Sequence, residues 1–323
     1  MLPIVMVNCY TYEKGSVVEM SHCPGMYCGR HKVENGNSTL WSPCEACPRG
    51  YRVNKAGECI ECNSSPTTYD WMYLCFMALL GLLVQWYSID SITSDSEFTF
   101  RTLSIHTSAL VETLLAGFVS LLLNPPIGSL KLHSCDIHRM SDWYTMMHNP
   151  SPNYEETLHC SQEAVYPLYS IVFIHYGVCI VMLLMIRPLV NKTFKIVGHT
   201  ASRPIYAALY FFPFLGLLHG IMAGVIYYSF PSITILLSLL SHVFHFASRK
   251  DQSWQKLLQE SVSSVHNLLV VVGHWLLHAY GIVSLTMWLQ PEIFIILVIF
   301  VPLPTVLYVL FSRFTDPVKF HNE

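Results

Sequence analysis

The most constraining feature of this chain is a succession of apolar runs long enough to cross a lipid bilayer. A helix rises 1.5 Å per residue, so about 20 residues span roughly 30 Å of hydrocarbon. Seven segments meet or approach that length: 71–89, 103–123, 165–186, 205–228, 232–247, 265–288 and 292–311. The second, fifth and sixth carry polar residues. Pro213, Pro302 and Pro304 should kink their helices, which neighbours in a bundle tolerate. Composition agrees, since of 323 residues 52% are hydrophobic and only 12% charged, whereas a soluble domain carries about 25% charge. The fold class read from these runs is an all-α polytopic membrane protein with seven transmembrane helices. A net charge of −3 provides no basic field for nucleic acid, and no glycine-rich loop is spaced to cradle phosphate.

The cysteines are unevenly placed. Seven of the 11 lie in the first 62 residues, before any long apolar run. Residues 1–70 therefore read as a small disulfide-rich head, 71–311 as the seven-helix domain with a long loop over 124–164, and 312–323 as a short tail. The head spacing is Cys23-x4-Cys28, Cys44-x2-Cys47 and Cys59-x2-Cys62. Two Cys-x2-Cys pairs could offer four thiolates to zinc, but the spacer between them is short for a zinc ribbon. An oxidising compartment would instead turn the six thiols into three disulfides, which a segment with so little core needs. Spacing does not choose among the possible pairings. Cys135 and Cys160 are expected to pair with each other or else to bridge to the head, which leaves Cys9 over. Cys75 and Cys179, inside predicted spans, read as small packing residues.

Lys and Arg in short loops orient the bundle. With the head outside, the cytosolic segments hold Arg101, Arg187, Lys192, Lys195, Arg203, Arg249, Lys250, Lys256, Arg313 and Lys319. The opposite side, apart from the head, holds Lys131 and Arg139. That bias makes the head lumenal or extracellular and the tail cytosolic. Glycosylation sequons at Asn37 and Asn63 fall in the head, as a secretory compartment requires, with Asn63 close to the first span. A third, at Asn191, falls on the basic side and should stay silent. The N-terminal MLPIVMV is too short for a signal peptide, so the first span is expected to act as the targeting signal.

Glu112 is the one acid well inside a predicted span, among His106, His175, His219, His242, His245, His266, His274 and His278. Stranding such groups in lipid costs several kcal/mol, so each is a candidate for function. His274 and His278 are four apart and His242 and His245 three apart, which puts each pair on one helix face. With a carboxylate nearby, these imidazoles could hold zinc and activate water, making the chain an intramembrane zinc-dependent hydrolase. Known seven-span hydrolases of that kind place His-x3-His in the last span beside a buried Asp, an arrangement not found here. Hydrogen bonding between helices is the plainer reading, and no cofactor is expected. A transporter should show internal repeats, and none is convincing.

Several motifs then point in one direction: CPGMYCG (23–29), CEACPRGYR (44–52), YDWMYL (69–74), SDWYTMMHNPSPNY (141–154), HCSQEAVYPLYSIVFIHY (159–176), IYAALYFFP (205–213) and HWLLHAYGI (274–282). In order and content they resemble the JNK-associated membrane protein (JAMP) family of the endoplasmic reticulum, from about Cys23 to Asp316. The resemblance implies a non-enzymatic, seven-span protein of the endoplasmic reticulum membrane. It implies that the chain promotes degradation of misfolded proteins by recruiting proteasome subunits and membrane-anchored ubiquitin ligases. It also implies binding to c-Jun N-terminal kinase under stress. For that kinase, Lys192 to Val197 loosely match a docking pattern of basic residues followed by spaced hydrophobics. The Ser-Pro pairs at Ser42, Ser65 and Ser151 all fall on the lumenal side, so binding rather than phosphorylation is expected there. The 141–154 stretch reads as a loop tied by Cys135 and Cys160, with Trp143 and Tyr144 suited to a membrane interface.

Overall fold

The first helix starts where its sequence supplies a cap. The Asp70 N–H donates to Thr67 Oγ1 at 3.2 Å, and the Thr67 N–H donates to Asp70 Oδ2 at 2.8 Å, so each closes an orphan donor of the other. In the computed structural model, which describes residues 23, 26–35, 38–92, 100–148, 160–249, 251–263, 265–289 and 294–315, this helix is α1, Thr68–Ile92. It is followed by α2 (Phe100–Leu123), α3 (Leu168–Thr193), α4 (His199–Ala247), α5 (Trp254–Ser263), α6 (Val265–Leu289), α7 (Phe294–Val298) and α8 (Leu303–Thr315). Cys9, Asn37 and Ser151 lie outside the described residues.

Helices α1 to α4 and the Asn267–Met287 part of α6 are long and apolar enough to cross a membrane. Only 17–39% of their most apolar windows is buried. So large an uncovered apolar surface belongs against lipid.

Two differences from the predicted seven spans stand out. Predicted spans four and five form one unbroken helix, the 49-residue α4. Only Ser229, Phe230 and Pro231 separate them, and the chain does not reverse there. Pro231 lacks an N–H and so leaves the carbonyl four residues earlier, that of Tyr227, without its helical donor. The Tyr69 hydroxyl donates to that carbonyl at 2.8 Å, which lets the helix continue. The predicted seventh span is divided into α7 and α8 by a turn ending at Pro302. Pro304 then sits in the first turn of α8, where a missing N–H costs nothing.

The chain divides into two compact units, Met1–Pro66 with Met77–Gly224, and Thr67–Phe76 with Val225–Glu323. In the first, the head carries six short strands in three antiparallel pairs: β1 (Cys28–Gly29) with β4 (Glu45–Ala46), β2 (Lys32–Asn35) with β3 (Ser38–Trp41), and β5 (Tyr51–Val53) with β6 (Cys59–Glu61). Disulfides supply what so small a core cannot. Cys23–Cys44 and Cys47–Cys59 close within the head, whereas Cys28–Cys160 and Cys62–Cys135 bind it to the 124–164 segment. Of the two alternatives for Cys135 and Cys160 this is the bridge to the head, and it corrects the closure of the six head thiols among themselves. The segment packs on the head closely enough to bring the partners' Cα atoms to 4.6 and 4.8 Å. Gly29 is required at this junction, since a Cβ there would lie 2.7 Å from Cys59 Sγ and 2.8 Å from Cys47 Sγ. Deeper in this unit, Leu82 and Ile89 of α1 pack with Ile105 and Ala109 of α2 and with Ile196.

In the second unit, Tyr69, Tyr73 and Phe76 of α1 form an aromatic cluster with Tyr227 and Phe230 of α4. Helix α6 approaches α4 so closely at Gly281 that a Cβ would meet Ile235 Cγ1 at 2.7 Å and the Pro231 carbonyl at 3.2 Å. Small residues at helix contacts of this kind are what membrane packing favours.

Candidate functional site

The polar groups inside the spans are the natural candidates, and Glu112 is the first. It is fully buried, and its partner is Arg187, not a histidine. Arg187 Nε donates to Glu112 Oε1 at 2.8 Å and Nη2 to Oε2 at 2.9 Å, while Nη2 also reaches Gln85 Oε1 at 2.9 Å. The pair is bidentate and joins α2 to α3, with α1 contributing Gln85. Helix α3 runs on past Pro188 to Thr193, which draws Arg187 into the bundle instead of into the basic loop assigned to it. Arg187 therefore leaves the basic count, and because α4 does not reverse between predicted spans four and five, Arg249, Lys250 and Lys256 no longer count with Arg101, Lys192, Lys195 and Arg203. A carboxylate stranded in a span demands a cation, and an arginine ending an apolar run was the available signal.

The histidines hydrogen-bond locally and between helices. His106 Nε2 lies 3.0 Å from Asp90 Oδ1, and His219 Nε2 lies 3.0 Å from the Tyr169 carbonyl. His175 Nε2 is 3.5 Å from Cys179 Sγ, whereas Cys75, read as a packing residue, is exposed. In the second unit, His242 Nε2 meets Thr305 Oγ1 at 2.8 Å and His278 Nδ1 meets Ser238 Oγ at 2.8 Å. The rings of His242 and His274 are 5.3 Å apart. Folding thus brings His242 beside His274 and His278, but among the described residues no group of three or more His, Cys, Asp or Glu is placed to hold a metal ion. Among the described residues the zinc-hydrolase alternative finds no such donor set.

Tyrosine hydroxyls provide a second kind of glue that the sequence reading missed. Besides Tyr69, Tyr169 donates to the Gly220 carbonyl at 3.1 Å and Tyr176 to that of Met77 at 3.0 Å, and Tyr280 donates to that of Met72. Each joins one helix to the backbone of another, where lipid offers no competing water.

At the head, Asp142 is the organising group. It is buried, and accepts from Arg52 Nη2 at 2.9 Å, from the Tyr27 hydroxyl at 3.0 Å, and from the His138 and Arg139 N–H groups at 3.0 and 3.2 Å. Burial pushes the Tyr27 phenol up to about 12, and the adjacent Asp142 carboxylate acts in the same direction. Trp143 and Tyr144 pack against α4 at Gly224. A Cβ on Gly224 would meet Tyr144 Cε2 at 2.8 Å and Trp143 Cβ at 3.0 Å, and the Gly224 N–H donates to the Tyr144 hydroxyl at 3.1 Å. Asn63 is exposed just after β6. The kinase-docking match at Lys192 to Val197 is partly consumed by folding: Ile196 is buried in the Leu82 cluster and Phe194 packs against it.

Comparison with known proteins extends these observations. The family model described as JNK1/MAPK8-associated membrane protein matches residues 23–317. The JNK1/MAPK8-associated membrane protein of Mus musculus is 41% identical over 307 residues, covering 93% of this chain and 96% of the mouse protein. The Homo sapiens protein of that name is 40% identical over the same coverage. A Caenorhabditis elegans homolog is 30% identical over 285 residues, covering 87% and 86%. No solved structure matches the chain significantly.

Proposed function

Because this chain belongs to the JNK1/MAPK8-associated membrane protein family, we propose that it is a non-enzymatic adaptor of the endoplasmic reticulum membrane. In this reading it binds c-Jun N-terminal kinase. It also promotes degradation of misfolded proteins by gathering membrane-anchored ubiquitin ligases and proteasome subunits near the bilayer. The observation that carries it is the match along 93% of the chain to a relative whose name records association with that kinase. Two features support the orientation. Four disulfides need an oxidising compartment on the head side, and Arg101, Lys192, Lys195 and Arg203, the basic residues that flank α2, α3 and the start of α4, belong on the other side. Residues 1–70 are then a lumenal head glycosylated at Asn37 and Asn63, 71–311 the transmembrane domain, and 312–323 a cytosolic tail.

The test is cross-linked affinity capture from microsomes, with and without folding stress. The kinase, ubiquitin ligases and proteasome subunits should be retained, and retention of none of them overturns the adaptor reading. Protease added outside sealed microsomes should spare the chain near Ser151; cleavage there overturns the orientation.

A further inference from the structure

Helix α5, between α4 and α6, has no part in the adaptor reading. It turns Leu257 inward, where it is 1% exposed in a cluster with Phe246 and Val271, packed by Trp275 and Tyr308. Beside Leu257 run Trp254, Leu258 and Val262, four residues apart and 48%, 46% and 70% exposed. At helical spacing they form one apolar stripe, while Lys256, Gln259 and Ser263 fall on the other arc and Gln255 at its edge.

The connections on either side fix where that stripe can be. Helix α4 ends at Ala247 and α6 begins at Val265, and both contain segments able to cross a membrane. Residues 248–253 lead into α5 and residue 264 alone leads out. The leading connector is folded back on the helix ends. Arg249 Nη2 donates to Asn267 Oδ1 at 2.6 Å, and Gln252 Nε2 donates to the Phe246 and Arg249 carbonyls at 3.1 and 2.7 Å. The Tyr308 hydroxyl donates to Gln252 Oε1 at 3.2 Å. A helix of ten residues, about 15 Å long, is thus held beside Asn267, where the candidate span of α6 begins. There an indole and two aliphatic side chains on one face, with amides and a lysine on the other, suit the boundary between headgroups and acyl chains.

We infer that α5 lies flat in the membrane interface, with Trp254, Leu258 and Val262 inserted among the acyl chains. The inference rests on the membrane-spanning character of α4 and α6 and not on the adaptor reading. Its test uses full-length protein in phosphatidylcholine nanodiscs, with Cys9, Cys75 and Cys179 changed to serine and a nitroxide placed at Leu258→Cys, Val262→Cys or Gln259→Cys. Labels at 258 and 262 should collide with oxygen more than with a water-soluble nickel chelate, and the label at 259 should do the reverse. Equal chelate access at all three positions overturns the inference, because the stripe is then in water. Shielding of 258 and 262 from both reagents overturns it too, as does spin–spin broadening confined to discs with two copies; these would assign the stripe to protein. A second readout needs no cysteine variant: lipids brominated near the headgroup should quench wild-type fluorescence more than that of Trp254→Phe, and equal quenching counts against insertion.

Discussion

The Glu112–Arg187 pair shows what a single buried residue can demand of its surroundings. Each ion gains from the other only because both are out of water, and either one alone is an uncompensated charge. Glu112→Leu or Arg187→Met should therefore each destabilise the protein by about 3–5 kcal/mol, whereas the double variant should recover most of that. Thermal unfolding in detergent measures the difference, and an additive double variant would refute the pairing. Tyr27 gives a prediction in pH. Its phenol ionises near 10 when unfolded but is pushed up to about 12 in the head. Stability from this group is complete below pH 10 and is lost as pH rises from 10 towards 12. In the ultraviolet titration of wild type minus Tyr27→Phe, the lost tyrosinate should form near pH 12; a difference with its midpoint near 10 would contradict the burial. At this scale the sequence revealed Glu112 but not its partner. A hydropathy reading ends an apolar run at the first charge because it has no knowledge of the neighbouring helix. The histidine faces were legible for the opposite reason, since three- and four-residue spacing is a property of one helix alone.

At the scale of the element, α4 depends on a hydroxyl from α1. Tyr69→Phe should leave the Tyr227 carbonyl buried without a donor and cost about 1–3 kcal/mol. In a Pro231→Ala background, where residue 231 regains an N–H for that carbonyl, the same substitution should cost much less. Equal costs in the two backgrounds, measured by thermal unfolding, would show that Tyr69 does not stand in for the missing donor. This compensation explains why spans four and five read as two helices. A proline between apolar runs signals a break unless something else feeds the freed carbonyl, and that donor lies more than 150 residues away in the chain. Spans one, two, three and six were legible to within a few residues, except where α3 runs on past Pro188. Their length and apolarity suffice without tertiary help.

For the whole molecule, the disulfide connectivity could not be read from spacing, because two of the four bonds depend on how the 124–164 segment folds over the head. A protease site inserted between residues 149 and 159 gives a direct check. After cleavage the two pieces should migrate as one species without reductant and separate with it, because among the described disulfides Cys28–Cys160 is the one that crosses the cut. In a Cys160→Ser variant they should separate without reductant. Joined fragments in that variant would refute the assigned pairing. The same bond sets an order of events during synthesis. Cys28 emerges from the ribosome 132 residues before its partner, an interval on the order of 10 s at usual elongation rates. Throughout it the nascent head holds an open thiol at Cys28, beside the Cys23–Cys44 pair, while α1 and α2 are being delivered to the bilayer. The head cannot mature before the helices that follow it, so its oxidation serves as a record that the first pair has been inserted correctly.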